Sequence, residues 1–310
     1  MTRQPAPRYM GGQAVMEGVM MRGAGTWAVA VRNPDGDIEV TVHDVPTWSE
    51  RYVKIPFVRG VTGLAESLGL GFKALTWSAN RQVPEEERLS GGAMATTIIV
   101  AMSLFVGIFM LVPAFGAGGL GRLLGVDGFW VHVVEGVLRL GLFLGYLALI
   151  GRMKDIQRVF MYHGAEHKAI AAYENDVPLT PESAQRFTTE HVRCGTNFLL
   201  TVMLIAIVVY SFVPRTSWLV VVLSRVVLIP VIAGISYEVI RFAAKHMQWG
   251  WVRVAMKPGL GLQKLTTREP TLDQLEVAIL SLKTVMTAEQ LAEVEQRPPF
   301  VLGTPVPRLA

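Results

Sequence analysis

The sequence predicts a mainly α-helical, polytopic membrane protein with four transmembrane helices and a small α+β cytoplasmic domain. Three observations predict this class. Hydrophobic residues make up 51% of the 310 residues and charged residues only 17%, against about a quarter in soluble proteins. The mean hydropathy is +0.38. The longest apolar runs reach the roughly 20 residues that a helix needs to cross the hydrocarbon layer of a bilayer.

Four apolar runs predict the spans. The first contains no charged residue, the second and fourth contain charges, and the third is short but almost wholly aliphatic. In chain order they are Met94–Phe115, Phe129–Ile150, Asn197–Val213 and Trp218–Tyr237. We expect no cleavable signal peptide, because residues 1–20 lack a basic start followed by an apolar run.

Basic residues set the orientation through the positive-inside rule. Residues 1–93, 151–196 and 241–310 contain 10, 6 and 9 Lys or Arg, whereas the two short connections contain only Arg122 and Arg215. We therefore expect both termini and the middle loop in the cytoplasm and the spans in contact with the lipid bilayer. The net charge of +4 predicts no specific nucleic-acid partner.

The alternation of polar and apolar segments divides the chain into five parts. They are cytoplasmic residues 1–93, the first two spans in 94–150, a cytoplasmic loop in 151–196, the last two spans in 197–240, and a cytoplasmic segment in 241–310. We expect the three cytoplasmic parts to assemble into one small domain.

Charged residues inside two spans predict an ion pair. A charge in the bilayer costs a few kcal/mol unless it is paired. Because the second and fourth spans both run from outside to inside, Glu135 and Arg225 lie at similar depth, and Arg139 follows Glu135 by one helical turn. The favoured interpretation is a structural pair that locks the bundle, and a proton or ion path is the alternative.

The first cytoplasmic segment predicts a β-hairpin followed by a helix. Residues 27–32 and 37–42 alternate apolar and polar side chains around Asn33-Pro-Asp-Gly, where Gly36 can take a positive φ. Residues 56–79 are apolar and rich in glycine but carry isolated charges. They predict a helix, or a broken helix, at the membrane surface.

The last cytoplasmic segment predicts two helices. Arg241–Trp251 continues the fourth span as helix, with its two Trp residues as interfacial anchors, and Pro258 is expected to end it. Pro270–Met286 is amphipathic, with Thr271 as its N-cap. We expect this second helix to dock on the cytoplasmic domain.

The middle loop contains the densest cluster of reactive side chains. His163 and His167 are spaced i and i+4, so on a helix both imidazoles project from one face within reach of a single metal ion. Glu166 lies beside them, placed to act as a general base on water. This His-x-x-Glu-His order matches the inverzincin pattern of metalloproteases. The alternative is that both imidazoles hydrogen-bond to carboxylates or lipid phosphates at the interface.

Other residues could complete a metal site. His191 and Cys194 are spaced i and i+3 immediately before the third span. Glu238, at the cytoplasmic end of the fourth span, lies 71 positions after His167, and Glu174 is a weaker candidate. Cys194 is the chain's one cysteine, so an internal disulfide is excluded. A lone cysteine is more often a small buried side chain than a metal ligand.

The segment Gly11–Gly23 is rich in glycine and predicts a tight apolar loop. It presents Glu17 and Arg22. We expect this loop to pack over the His/Glu cluster, with one of these two side chains facing the substrate.

Four motifs together resemble the DUF1385, or YqhQ-like, family of bacterial membrane proteins. They are Gly11-Gly-Gln-Ala-Val-Met-Glu-Gly-Val-Met-Met-Arg22, His163-Gly-Ala-Glu-His-Lys168, His191-Val-Arg-Cys-Gly-Thr196 and Pro258-Gly-Leu-Gly-Leu-Gln-Lys-Leu-Thr-Thr267. The chain departs from the expected pattern at Val192, where we expect Pro in many members. The resemblance implies a metal-dependent enzyme in the bacterial inner membrane.

Two functional hypotheses follow, with a transporter as a weaker third that rests on the charges inside the spans. The first is a metal-dependent hydrolase at the cytoplasmic face, acting on a peptide, a lipid-linked ester or a phosphoester. In this hypothesis His163 and His167, with Glu238 or His191, bind the metal ion, which we expect to be Zn²⁺. Glu166 is the general base. Arg22 or Arg193 stabilises negative charge. The second is a non-enzymatic scaffold that binds a protein partner or a second copy of the chain.

Overall fold

A computed structural model describes residues 10–46, 48–88, 90–191 and 194–298, apart from the side chain of Glu50. Val192 and Arg193 lie outside the described residues, so the predicted role of Arg193 stays a prediction.

A four-stranded antiparallel sheet opens the chain, with its strands in sequence order. The strands are β1 (Gly11–Val15), β2 (Gly18–Arg22), β3 (Thr26–Arg32) and β4 (Ile38–Asp44). The predicted hairpin is confirmed as β3 and β4, which pair from Thr26 opposite Asp44 to Arg32 opposite Ile38. Gly36, in the turn between them, has a φ of 97°.

The prediction of a loop over Gly11–Gly23 is wrong, because these residues form the β1–β2 hairpin. The sheet is buried on both faces at β2, where Val19 and Met21 face one core cluster and Met20 faces another. A strand buried on both faces shows no alternation of apolar and polar residues. The usual sequence signal of a strand is therefore missing here.

Twelve α-helices follow in the part of the chain that the structure describes. They are α1 (Val58–Arg81), α2 (Gly91–Val106), α3 (Val112–Leu124), α4 (Gly128–Ile150), α5 (Lys154–Glu174), α6 (Pro181–Ala184), α7 (Gly195–Ser211), α8 (Trp218–Val227), α9 (Ile229–Lys245), α10 (Gly250–Thr266), α11 (Leu272–Thr284) and α12 (Ala288–Glu295). Two short 3₁₀ helices precede α1 and α2, at Trp48–Tyr52 and Glu85–Glu87.

The sheet lies between two layers of helix. Leu70 and Ala74 of α1 pack on one face of the sheet. The other face joins α5 and α11 in the largest core cluster, which includes Tyr162 and Leu275. The predicted helix at residues 56–79 is confirmed as α1, and the capping box of α11 at Thr271 confirms the predicted N-cap. The N-terminal, middle and C-terminal segments thus form one α+β unit.

Two helices are long and apolar enough to cross a membrane, and a third exists if one bent pair is a single span. The first is a continuous run of 34 residues, Gly91–Leu124, in which a π-helical turn at Gly107–Leu111 joins α2 to α3. The second is α4. The bent pair is α8 and α9, with 44° between them. The third predicted span corresponds to α7, an apolar helix of 17 residues.

A buried charged cluster joins the apolar helices. The Glu135 carboxylate of α4 contacts the guanidinium groups of Arg139, Arg225 and Arg215. The predicted pairing of Glu135 with Arg139 and Arg225 is therefore confirmed. Arg215 is an addition, because its side chain reaches back from the loop between α7 and α8.

The π-helical turn between α2 and α3 is joined to the same cluster. Pro113 has no backbone N–H, so the carbonyl of Phe109 lacks its usual donor four residues later. Arg139 Nε donates to that carbonyl at 3.0 Å. One arginine thus satisfies both a buried carboxylate and a carbonyl that a proline has freed.

The expectation that Pro258 ends a helix is wrong. Pro258 lies inside α10, which runs on to Thr266. Its missing N–H frees the carbonyl of Val254, a residue on the exposed side of the helix. A proline can kink a helix without ending it, and here the helix continues.

Candidate metal centre

Helix α5 carries the His-x-x-Glu-His motif into the core of the α+β unit. The side chains from Tyr162 to Tyr173 are buried, apart from the half-buried His163. His163 and His167 lie one turn apart on the same face, with their ring centroids 4.4 Å apart. The predicted helical spacing of the two imidazoles is confirmed.

Backbone carbonyls fix the orientation of both imidazoles. His163 Nδ1 donates to the carbonyl of Thr266 at 2.8 Å, and His167 Nδ1 donates to the carbonyl of Thr189 at 2.5 Å. A carbonyl can only accept, so each Nδ1 carries a proton and each neutral ring keeps its lone pair on Nε2. This arrangement is typical of metal-ligating histidines.

Cys194 supplies a third donor atom. His163 Nε2 lies 3.2 Å from Cys194 Sγ, and Thr196 Oγ1 donates to the same sulfur at 3.3 Å. The ligand atoms of His163, His167 and Cys194 all lie within 4.8 Å of one another. Ligands at 2.0–2.3 Å from one ion in tetrahedral geometry are separated by about 3.3–3.8 Å. The three residues therefore fit a divalent metal after small movements.

Glu166 lies against the same cluster. Its side chain is 6% exposed, and burial raises the pKa of its carboxyl group, while His163 and His191 act in the opposite direction. Gly12 of β1 packs directly on it, since a Cβ at Gly12 would lie 2.8 Å from Glu166 Cγ. The hairpin that covers Glu166 thus requires a glycine at this position.

His191 closes another side of the cluster. Its ring centroid lies 5.6 Å from that of His167, and its Nε2 lies 3.4 Å from a carboxylate oxygen of Glu174. Burial lowers the pKa of both His167 and His191, which favours their neutral forms. His191 is held by its backbone, because Gln263 accepts from its N–H and donates to its carbonyl, both at 2.8 Å.

The structure does not bring Glu238 or Arg22 to the histidines. Glu238 binds Arg59, with 2.8 Å between its Oε1 and Arg59 Nε. Arg22 pairs with the buried carboxylate of Glu66. Arg22, Arg59 and Glu66 line a separate cavity of about 290 Å³.

Glu17 lies near α5 but points along another face. It occupies the β1–β2 turn with a φ of 51° and accepts two hydrogen bonds from Arg158. The Tyr162 hydroxyl donates to it at 3.4 Å, and burial raises the pKa of that tyrosine. Glu17 therefore joins the sheet to α5 next to the candidate site, through contacts with residues other than the histidines.

The segment 258–267 builds one wall of the site, a role that sequence reasoning did not assign. It provides the Thr266 carbonyl for His163 and the Gln263 side chain for His191. The next residue, Arg268, donates its N–H to the Phe160 carbonyl at 2.9 Å. This close approach requires Gly164, where a Cβ would lie 2.1 Å from the Arg268 oxygen.

Comparison with known proteins gives the family. Residues 55–288 match the family described as "Protein of unknown function (DUF1385)". The chain belongs to the DUF1385 family. It is also 35% identical over 316 aligned residues to "Uncharacterized protein YqhQ" of Bacillus subtilis (strain 168), with 96% of this chain and 98% of that protein covered. No solved structure matches this DUF1385 chain.

The DUF1385 match covers three of the four motifs that carried the resemblance in the sequence. The fourth, at residues 11–22, precedes the matched range. The family itself assigns no reaction to the cluster of His163, His167 and Cys194.

Proposed function

We propose that the protein is a metal-dependent hydrolase at the cytoplasmic face of the bacterial inner membrane. One observation carries the proposal. Two imidazoles, each fixed by a backbone carbonyl, and one thiol direct their donor atoms toward a common point. Histidine and cysteine together are typical ligands of Zn²⁺, which is the metal we expect.

In this proposal four spans cross the membrane. They are the run from α2 to α3, then α4, α7, and the bent pair of α8 and α9. The helix α7 is about 26 Å long at 1.5 Å per residue, close to the roughly 30 Å of the hydrocarbon layer. The excess of Lys and Arg in residues 1–93, 151–196 and 241–310 supports a cytoplasmic location for both termini and for the candidate site.

The chain's own residues divide the catalytic work. His163, His167 and Cys194 would hold the ion, which when bound supplies a Lewis acid for the bond to be hydrolysed. Glu166 accepts a proton from water as general base, since its carboxylate lies against the histidine cluster and is shielded from bulk solvent. His191 completes the polar lining, and Arg193, next to Cys194 in the chain, stabilises negative charge on the substrate.

Elemental analysis of the detergent-purified protein tests the proposal. Wild type is compared with His163→Ala/His167→Ala, and with the matched control His43→Ala/His246→Ala, which removes two histidines outside the cluster. We expect one metal ion per chain in wild type and in the control, and none in the cluster variant. Activity on ester or peptide substrates should follow the metal.

The opposite result would be informative. If folded wild-type protein binds no metal ion even after incubation with Zn²⁺, the hydrolase proposal is wrong. The alternative would then be a scaffold in which the His/Cys cluster only holds the α+β unit together.

A further inference from the structure

Helix α10 lies across the ends of two apolar helices. Leu262 packs with Phe143 and Leu147 in the last turns of α4. Gly259 lies against Asn197 in the first turn of α7, where a Cβ would be 2.1 Å from the amide oxygen. These contacts place α10 at the level where both apolar helices meet the α+β unit.

One stripe of α10 faces the protein. Its buried residues fall within an arc of about 100° when successive residues are placed 100° apart around the helix axis. They are Val252, Gly259, Leu262, Gln263 and Thr266. Two of them, Gln263 and Thr266, are those that contact the candidate metal centre.

The remaining surface of α10 separates into two further stripes. The first is apolar and exposed, with Trp251 and Val254 each 61% exposed and Leu265 42% exposed. The second is basic and contains Arg253, Lys257 and Lys264 within an arc of about 40°. An exposed apolar stripe beside a basic stripe is typical of a helix that lies in the interface of a bilayer.

The segment that contains α10 carries charge of one sign. Residues 239–268 contain six Lys or Arg and no Asp or Glu. Lys264 approaches Glu190 at 3.7 Å, but both side chains are exposed, so this pair contributes little. The rings of Trp249 and Trp251 lie tilted against each other at the start of the helix, with centroids 5.9 Å apart, and tryptophan is enriched at membrane interfaces.

We propose that α10 is a binding surface for anionic phospholipids. The apolar stripe enters the boundary of the acyl chains, and Arg253 and Lys257 contact phosphate groups in the headgroup layer. Charge complementarity favours anionic lipids as the ligand of this surface. Each Lys or Arg near an anionic membrane surface raises the affinity about fivefold. The proposal does not depend on a metal at the neighbouring site.

Fluorescence quenching by brominated lipids tests this surface on the full-length protein in mixed micelles. Brominated phosphatidylglycerol and brominated phosphatidylcholine are titrated separately, and the signal of Trp249 and Trp251 is isolated by subtracting that of Trp249→Phe/Trp251→Phe. We expect stronger quenching by phosphatidylglycerol. Arg253→Gln/Lys257→Gln should lower that preference by about fivefold for each charge removed.

The control variant is Lys283→Gln, which removes a positive charge from α11 of the α+β unit and should keep the wild-type preference. Raising the salt from about 0.1 M to about 1 M shortens the Debye length from about 10 Å to about 3 Å and should weaken the wild-type preference. Equal quenching of wild type by the two lipids, or a preference that salt leaves unchanged, would overturn the proposal. So would an equal loss in the control.

Discussion

Glu135 on α4 accepts two hydrogen bonds from Arg225 on α8, at 3.0 Å from Nε and 2.5 Å from Nη2. Both side chains are buried, with at most 1% of either exposed. The same carboxylate also pairs with Arg139 and Arg215. A single negative charge therefore joins three positive charges from different parts of the bundle.

Glu135→Gln should destabilise the protein strongly. The substitution keeps the shape of the side chain but leaves three arginines without their carboxylate, and breaking a buried pair costs about 3–5 kcal/mol. We expect a lower free energy of unfolding in detergent, measured by denaturant titration. Arg122→Gln, which changes an exposed arginine on α3, serves as the control and should leave stability unchanged. A neutral effect of Glu135→Gln would contradict this account of the cluster.

Removal of metal should lower the thermal stability of wild type. A ligand that binds only the folded state stabilises it by about 2.7 kcal/mol when its free concentration is 100 times its Kd. We expect Tm to fall on chelation and to recover when Zn²⁺ is added in excess. His163→Ala/His167→Ala should not respond to either treatment. A wild-type Tm that is indifferent to chelator and to Zn²⁺ would argue against a metal at this site.

Cys194→Ser should abolish the charge-transfer absorption of the Co²⁺-substituted protein in the near ultraviolet. That band requires a thiolate bound to the ion, and Cys194 is the chain's one cysteine. Thr196→Val is the control, because it removes a hydroxyl that contacts the sulfur but leaves the thiol in place. If the wild-type Co²⁺ spectrum lacks the band, Cys194 is not a ligand.

Gly164→Ala should be poorly tolerated. The added Cβ would lie 2.1 Å from the Arg268 carbonyl oxygen, so the backbone has to move where α5 meets the wall of the site. Overpacking of this kind costs about 1–3 kcal/mol or more. Gly69→Ala on α1, where no atom lies within 4 Å of the new Cβ, should be neutral or stabilising. Thermal unfolding of the two variants measures the difference.

Gln263→Leu should weaken metal binding by about 10–100-fold, because Gln263 holds the backbone of His191 in the segment that leads to Cys194. Titration with Zn²⁺ against a competing chelator measures the Kd. Gln263→Glu keeps the acceptor but loses the donor, and should fall between Leu and wild type. Gln248→Leu, at an exposed glutamine, is the control. A loss of stability without a change in Kd would show that Gln263 is structural only.

The features that sequence predicted well are local or follow from charges placed within apolar helices. The i, i+4 spacing of His163 and His167 places both rings on one face of any helix, whatever surrounds it. Thr271 caps α11 through its own hydrogen bond to the backbone three residues later. Glu135 meets Arg225 because a charge buried among apolar helices has few other partners.

The features that the sequence did not predict depend on where side chains point in the folded protein. Glu238 was a reasonable third ligand by separation along the chain, but it projects toward α1 and binds Arg59. Arg215 lies outside every predicted span, so its reach back to Glu135 has no local signal. The role of Gln263 depends on two hydrogen bonds across 72 residues, which no periodicity encodes.

The candidate site is complete only late in biosynthesis. His163 receives its partner from Thr266, which lies 103 residues further along the chain. At ribosomal rates of roughly 5–20 residues per second, about 5–20 seconds separate the two residues during translation. Until then the imidazole of His163 lacks the carbonyl that fixes its tautomer and orientation. The orientation of His163 is therefore fixed only after the chain has been made as far as Thr266.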